Sequence, residues 1–281
     1  LNDAATQVFL LTGAASGIGR HLAGALSARG HRVLATDVDA EALARARAAD
    51  NWATDSVVSC GLDVRSVAQW EDALAAALRS FGRVDVLLNV AGYLKPGAGW
   101  AASTEEVDRH IDVNFKGMVH GTRIIGRHFV DKRAGHIINF GSLASLASVG
   151  GLTLYCATKF AVRGFSLASA QEMSEHGVAV TLVMPDAVQT PMLELQLDYP
   201  EAAITFSGGR PLGVEDIERL LVEVVLPRQP LEVSIPFLRG VLAMLATLFP
   251  GLTPALAPAL ARKGRAIQVR RLQSRAVSPD V

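Results

Sequence analysis

Val8-Phe9-Leu10-Leu11-Thr12-Gly13-Ala14-Ala15-Ser16-Gly17-Ile18-Gly19 joins three signals in twelve residues. Val8–Thr12 is an apolar run of strand length. Gly13, Gly17 and Gly19 then let the backbone turn sharply and approach a ligand closely. From Gly17 to Arg29 the pattern is helical. A helix that opens on such a turn offers free N–H groups and the positive end of its dipole, which suit a pyrophosphate. A glycine cluster alone is a turn in many proteins. The strand–turn–helix order, with Asp37 ending the next strand, makes it a dinucleotide site.

The alternation continues outward from this stretch. Arg32–Thr36, Ser56–Cys60, Val84–Asn89, His136–Phe140 and Val178–Met184 read as strands, with Leu231–Pro236 as a last one. Ser66–Ser80, Thr104–Phe129 and Thr153–Glu175 read as helices, and the Ala-rich piece Glu41–Ala49 as an ordinary solvent-facing one. Strands that are apolar throughout imply a parallel sheet covered on both faces. The expected fold is α/β: one Rossmann-type, doubly wound parallel sheet of about seven strands with helices on both faces. Residues 1–236 would form the catalytic domain, and 237–281 an apolar extension. Within the domain, Leu195 to Gly213 is irregular and follows a strand end, where open α/β sheets bind ligands. Residues 190–213 are therefore expected to form a substrate lid.

Composition sets bounds. The chain has 281 residues, 50% of them hydrophobic, enough for a large core. Its 27 basic and 27 acidic side chains cancel, so no global field attracts nucleic acid. Two cysteines, Cys60 and Cys156, give no disulfide framework. The N-terminus lacks a signal-peptide pattern. A cytoplasmic location is expected, with membrane association through the C-terminal segment as one alternative. No metal site is read.

Tyr155 and Lys159 are four apart, so on a helix they share one face. An ammonium near a phenol favours the phenolate and makes the tyrosine a usable proton donor or acceptor. Ser142 lies thirteen residues earlier, after an apolar strand. Asp37 is placed to accept hydrogen bonds from ribose hydroxyls and to repel a 2′-phosphate. Ser16 occupies the loop position where a basic residue would attract that phosphate. NAD is therefore favoured over NADP, with Arg20 the main contrary feature. Asp37 could instead cap the next helix, a role that Asp39 fills better.

The glycine spacing, Asn89-Val90-Ala91-Gly92, Asn114, Ser142 and Tyr155-Cys156-Ala157-Thr158-Lys159 together resemble the simple branch of the short-chain dehydrogenase/reductase family. The resemblance covers residues 5 to about 236. It implies that Tyr155 exchanges a proton with the substrate oxygen and that Lys159 holds the nicotinamide ribose and depresses the tyrosine pKa. Ser142 would bind the substrate oxygen, and Asn114 would maintain a water relay behind Lys159. Gly13, Ser16, Gly17, Ile18, Gly19, Asp37, Asp63, Val64, Asn89, Ala91, Gly92, Tyr155, Lys159, Pro185, Val188 and Thr190 would line the cofactor site. Asp63 would meet the adenine amine and Thr190 the carboxamide or phosphate. Such proteins commonly form homodimers or homotetramers through their long central helices.

Two departures from the family pattern stand out. Val90 replaces an asparagine, and Asp186 replaces the glycine after Pro185. Asp186 is expected to form a turn or to hydrogen-bond a polar substrate group. Cys156 is expected to pack.

The C-terminal segment is the most individual part. Gly240 to Ala261 carries no charge, and Arg262, Lys263, Arg265, Arg270, Arg271 and Arg275 follow with no acid before Asp280. Its length could span a bilayer, but Pro250, Pro254 and Pro258 argue for short helices instead. These would pack over the cleft, form a dimer contact, or lie at a membrane surface along residues 237–275. Leu193, Leu195, Leu197, Phe206, Phe237 and Leu238 are expected to build a lid for a bulky apolar alcohol or ketone, lipid- or sterol-like. The expected reaction is NAD-dependent hydride transfer between a secondary alcohol and a ketone. Three alternatives stand beside it: an NADPH-dependent 3-ketoacyl or 3-keto-sphingoid reductase, a dinucleotide sensor without turnover, and a membrane scaffold. Cofactor preference, turnover and liposome binding separate them.

Overall fold

A computed structural model describes residues 6–277. Alternation along the strands builds the core, because successive side chains leave a strand on opposite faces. Phe9 and Leu11 of the first strand pack with Leu22 and Leu26 on one face. Leu10 packs with Trp70, Ala73 and Phe129 on the other. The first strand is buried along its whole length, as a central strand covered twice should be.

Seven strands form one parallel sheet: β1 (Val8–Thr12), β2 (Arg32–Asp37), β3 (Val57–Gly61), β4 (Val86–Asn89), β5 (Gly135–Phe140), β6 (Val178–Pro185) and β7 (Glu232–Ile235). Their order is β3-β2-β1-β4-β5-β6-β7. The direction of winding reverses between β1 and β4, which leaves a crevice beyond their carboxyl ends. Phe9 pairs with both Val33 and Val86, fixing the register across that reversal.

The helices α1 (Gly17–Ala28), α2 (Ala40–Ala49), α3 (Val67–Phe81), α4 (Thr104–Ile111), α5 (Gly117–Lys132) and α6 (Thr153–Ser174) connect the strands. Local chemistry sets their ends. Ser66 caps α3 by accepting from Gln69 N, and Gly82 ends it in the left-handed region at φ 76°. Ser103 and Glu106 form a capping box on α4. The single helix expected over Thr104–Phe129 is instead α4 and α5 joined by a π turn at Asp112–Lys116. Asn114 sits in that turn, whose extra residue per turn re-aims its side chain.

After β6 the chain forms α7 (Pro191–Leu195), 3-10 turns at Gln196–Asp198 and Pro200–Ser207, α8 (Val214–Leu220), a second π turn and α9 (Leu226–Arg228). Beyond β7 come α10 (Phe237–Leu248) and α11 (Leu252–Val277). This corrects the expectation of short helices, because α11 runs for 26 residues. Pro254 lies in its first turn, where a missing N–H costs no intrahelical bond. Pro258 lies inside, and the helix is held by packing on the Pro200–Ser207 turn. A Cβ on Gly264 would lie 1.8 Å from the Ala203 oxygen, so only glycine allows that approach. Among the described residues no helix is long and apolar enough to cross a membrane.

Candidate active site

A cavity of about 1510 Å³ opens at the crevice between β1 and β4 and runs beneath α10 and α11. Its floor is the glycine turn. Gly13 and Gly17 take φ values of 73° and 53°. A Cβ at Gly13 would lie 2.9 Å from Ala91 Cα, and one at Gly19 only 2.1 Å from the Gly13 oxygen. Ser16 precedes α1 and makes no side-chain cap. The first-turn N–H groups of α1 therefore have no side-chain acceptor. This cradle, shaped to exclude side chains and rich in free donors, fits a dinucleotide pyrophosphate.

Asp37 closes the turn from β2. Its Oδ2 accepts from Ala15 N at 2.9 Å and its Oδ1 from Asp39 N at 3.1 Å. Asp39 caps α2, accepting from Ala42 N at 2.8 Å. Arg20 points away and is held by Asp50, with Nε to Oδ2 at 2.7 Å. Thr12 was not singled out by the sequence, yet its Oγ1 accepts from Val90 N and Ala91 N at 3.0 and 3.1 Å. It ties the end of β1 to the loop after β4. Its place just before the first glycine was the available signal.

Ser16, Gly17, Ile18, Gly19, Asp37, Asp63, Val64, Ala91, Gly92, Pro185, Val188 and Thr190 line the cavity with Gly13. Asp63 is engaged by Arg65, whose Nε and Nη2 donate at 2.9 and 2.6 Å. That hydrogen bonding holds the Asp63 carboxyl below its usual range. Thr190 Oγ1 donates to the Val188 oxygen at 3.1 Å. Asn89 departs from expectation, because it does not reach the cavity wall. It is buried, and its Nδ2 donates to Asn139 Oδ1 at 2.8 Å across β4 and β5. Alternation along β4 turns it into the sheet's polar interior.

Ser142, Tyr155 and Lys159 meet on the opposite wall. Ser142 follows β5, and its Oγ accepts from Ala144 N at 3.1 Å, which fixes its rotamer. Tyr155 and Lys159 lie one turn apart on α6. Lys159 is buried, its Nζ donating to the Phe140 oxygen at 2.7 Å. Burial lowers its pKa to about 8. Burial also pushes the Tyr155 phenol up, while its hydrogen bond with Ser142 pulls the other way. The expected depression by Lys159 is not what sets this balance: burial dominates, and Ser142 is the group that opposes it.

Asn114 lies behind this wall. Its Oδ1 accepts from Tyr93 N at 2.6 Å, and its Nδ2 donates to the Tyr93 oxygen at 2.8 Å and to Thr158 Oγ1 at 3.1 Å. Thr158 Oγ1 in turn donates to the Tyr155 backbone carbonyl oxygen at 2.8 Å. The π turn, Tyr93 and α6 are thereby locked together. Thr158 lies within the Tyr155–Lys159 turn but faces away from the cavity. Cys156 is buried, receives Val149 N at 3.4 Å, and has its thiol pKa pushed up by burial. It packs.

Asp186 does more than turn the chain. Its carboxylate pairs with Arg239 of α10, and both side chains line the cavity. Burial raises the Asp186 pKa, and Arg239 opposes that rise. Arg239 was not singled out, although it is the one charged residue between Glu232 and Arg262.

The lid residues split. Leu193, Leu197 and Phe206 are buried together, against Ile267 and Leu272 of α11. Leu195, Phe237 and Leu238 point outward, the last two more than 70% exposed. Leu242, Leu245, Leu256 and Leu260 line the cavity instead. Gln268 of α11 is fully buried, and its Nε2 donates to the Gln196, Leu197 and Tyr199 oxygens at 2.9, 3.1 and 2.8 Å.

Comparison with known proteins shows the family and the fold. A family model described as short chain dehydrogenase matches residues 7–199. The 2-(R)-hydroxypropyl-CoM dehydrogenase of Xanthobacter autotrophicus is 34% identical over 201 residues, covering 70% of this chain and 80% of that one. The 3-alpha-(or 20-beta)-hydroxysteroid dehydrogenase of Mycobacterium bovis is 34% identical over 217 residues, covering 77% and 81%. The structure of 3-ketoacyl-(acyl-carrier-protein) reductase from Brucella melitensis, complexed with NADH, superposes with a TM-score of 0.72 at 27% identity, covering 82% and 96%. With a glycine cradle for a nicotinamide dinucleotide facing a Ser–Tyr–Lys wall, the chain belongs to the short chain dehydrogenase family of oxidoreductases acting on CH–OH groups.

Proposed function

We propose that this enzyme interconverts a secondary alcohol and a ketone with NAD, and that its substrate is largely apolar. Asp37 carries the cofactor preference. It stands on the cavity wall with its carboxylate aimed by two backbone N–H groups, while the nearby cation Arg20 is held off by Asp50. A 2′-phosphate would meet that carboxylate at close range. Leu242, Leu245, Leu256, Leu260, Val149 and Leu152 carry the substrate preference, since such walls bury apolar surface.

Bound nicotinamide supplies the hydride acceptor or donor. The chain's own residues position the substrate and manage the proton. Ser142 donates to the substrate oxygen, and Tyr155 takes up the proton on oxidation or returns it on reduction. Lys159, charged below about pH 8, stabilises the phenolate as it forms. Asn114 fixes the turn from which this wall is built. The 190–213 segment acts as the lid, clamped by Gln268, and the chain assembles as a homodimer or homotetramer. The test is nicotinamide absorbance with NAD and NADP against small polar alcohols, long-chain secondary alcohols and sterols. NAD-linked turnover of the bulky alcohols is expected. Turnover confined to NADP or to small polar alcohols would overturn the reading.

A second surface supports a second proposal. Phe237, Leu238, Leu248 and Phe249 are each more than half exposed, and Arg262, Arg265 and Arg270 lie exposed nearby in the chain. An apolar face beside a basic row suits an anionic bilayer surface. Residues 237–275 are therefore proposed to make peripheral membrane contact.

A further inference from the structure

Three separate segments converge on one guanidinium. Asp186 follows β6 and pairs with Arg239 of α10. Gly208, between α7 and α8, makes room: a Cβ there would lie 1.9 Å from Arg239 Nη1. The pair does not sit on an outer surface. Both residues line the cavity that also holds Ser142 and Tyr155.

The acids that line the cavity, Asp186 among them, come from the Rossmann core, and the part added by the later segments differs in charge. Among the described residues, the 190–213 segment and the two C-terminal helices give the cavity two cations, Arg239 and Lys263, and no acid. The rest of what α10 and α11 contribute is aliphatic apart from Thr253. A guanidinium has five N–H donors, and one carboxylate takes at most two of them in a fork. Arg239 meets Asp186 through Nη1 and therefore keeps donors for a second acceptor, with Asp186 holding that end of the guanidinium. Apolar walls with an aimed guanidinium match a molecule that is mostly hydrocarbon and ends in a carboxylate.

We propose that Arg239 is the specificity-determining residue that binds a substrate carboxylate, making the substrate a hydroxy or keto acid with a long apolar body. Asp186 is the positioning residue behind it. This rests on the reading of the cavity as the substrate site.

Calorimetric titration of the full chain loaded with NADH, using decanoate and decanol as probes, tests it. The wild type is expected to bind decanoate about tenfold or more tightly than decanol, the usual strength of a charged hydrogen bond. Arg239→Gln should erase that preference and leave decanol binding unchanged. Asp186→Asn should keep or strengthen it, because the amide oxygen still orients the guanidinium but no longer neutralises it. A fastening role for the pair predicts the opposite, with both substitutions weakening both probes alike. That result, absence of decanoate binding, or equal affinity for the two probes in the wild type would overturn the proposal. The activity reading fails separately: an Arg239-dependent preference for decanoate, with no alcohol oxidised by either nucleotide, would sink that reading and leave this one standing.

Discussion

The Lys159 ammonium lies 5.5 Å from the centre of the Tyr155 ring and is anchored to the Phe140 oxygen. The buried phenol therefore has one fixed cation beside it, while burial holds its proton on. Tyr155→Phe preserves the ring and removes the proton. Turnover should fall by about 10²–10⁴, the usual worth of general acid–base catalysis, with NADH affinity within twofold. Stopped-flow turnover beside NADH fluorescence titration checks this. Undiminished turnover would remove Tyr155 from the mechanism.

Asp37→Asn removes the charge and keeps one oxygen, enough for Ala15 N or for Asp39 N but not for both. The ratio of kcat/KM for NAD over NADP should drop by roughly tenfold or more, since a charged hydrogen bond contributes about 1.5–3 kcal/mol. Steady-state kinetics with both nucleotides measures it, and an unchanged ratio would place discrimination elsewhere.

His136 is buried, and its Nε2 meets Thr181 Oγ1 at 2.9 Å. Burial lowers its pKa to about 4. The unfolded chain takes up this proton from about pH 6.5 downward, while the folded chain resists until about 4. Stability from this site is therefore full above about 6.5 and is lost as pH falls to about 4, a loss of about 3 kcal/mol. Urea unfolding of the wild type and of His136→Gln at both ends of that window should show a smaller pH effect in the variant. Equal pH effects would assign the acid sensitivity to other groups.

Gly264→Ala would push α11 off the Ala203 oxygen and break the seat that Gln268 makes over the 190–213 segment. KM should rise severalfold more than kcat falls, with nucleotide affinity retained. Limited proteolysis should then cut within α11 sooner than in the wild type. Unaltered KM and cleavage would mean that the helix has slack at this crossing.

Phe237→Glu with Leu238→Glu alters two side chains that are 72% and 73% exposed, so the fold should tolerate it. Flotation should carry the wild type up with vesicles containing phosphatidylglycerol, less with pure phosphatidylcholine, and the double variant with neither. A wild type left at the bottom of both gradients would dispose of the bilayer contact.

Much of this was legible because it is local. Val8–Thr12 is apolar at every position because both faces of β1 are covered, and Gly13, Gly17 and Gly19 are read directly from backbone geometry. Tyr155 and Lys159 needed only helical spacing. What escaped depended on contacts between distant segments. Asn89 belongs to a strand whose alternation decides which face it takes, and it turns inward to Asn139. The π turn at Asn114 leaves no mark in a periodicity already read as helix. Pro258 signals a break, but packing of α11 on the Pro200–Ser207 turn keeps the helix going. The partner of Asp186 lies 53 residues on, and nothing between them announces Arg239.

All seven strands are encoded before Pro236, whereas α10 and α11 come last. At the usual pace of synthesis, about 5–20 residues per second, the ribosome needs about 2–8 s more to make residues 237–277. The sheet and the glycine cradle are thus specified in sequence before the helices that line the outer part of the cavity, so the two walls are separable by truncation as well as by substitution.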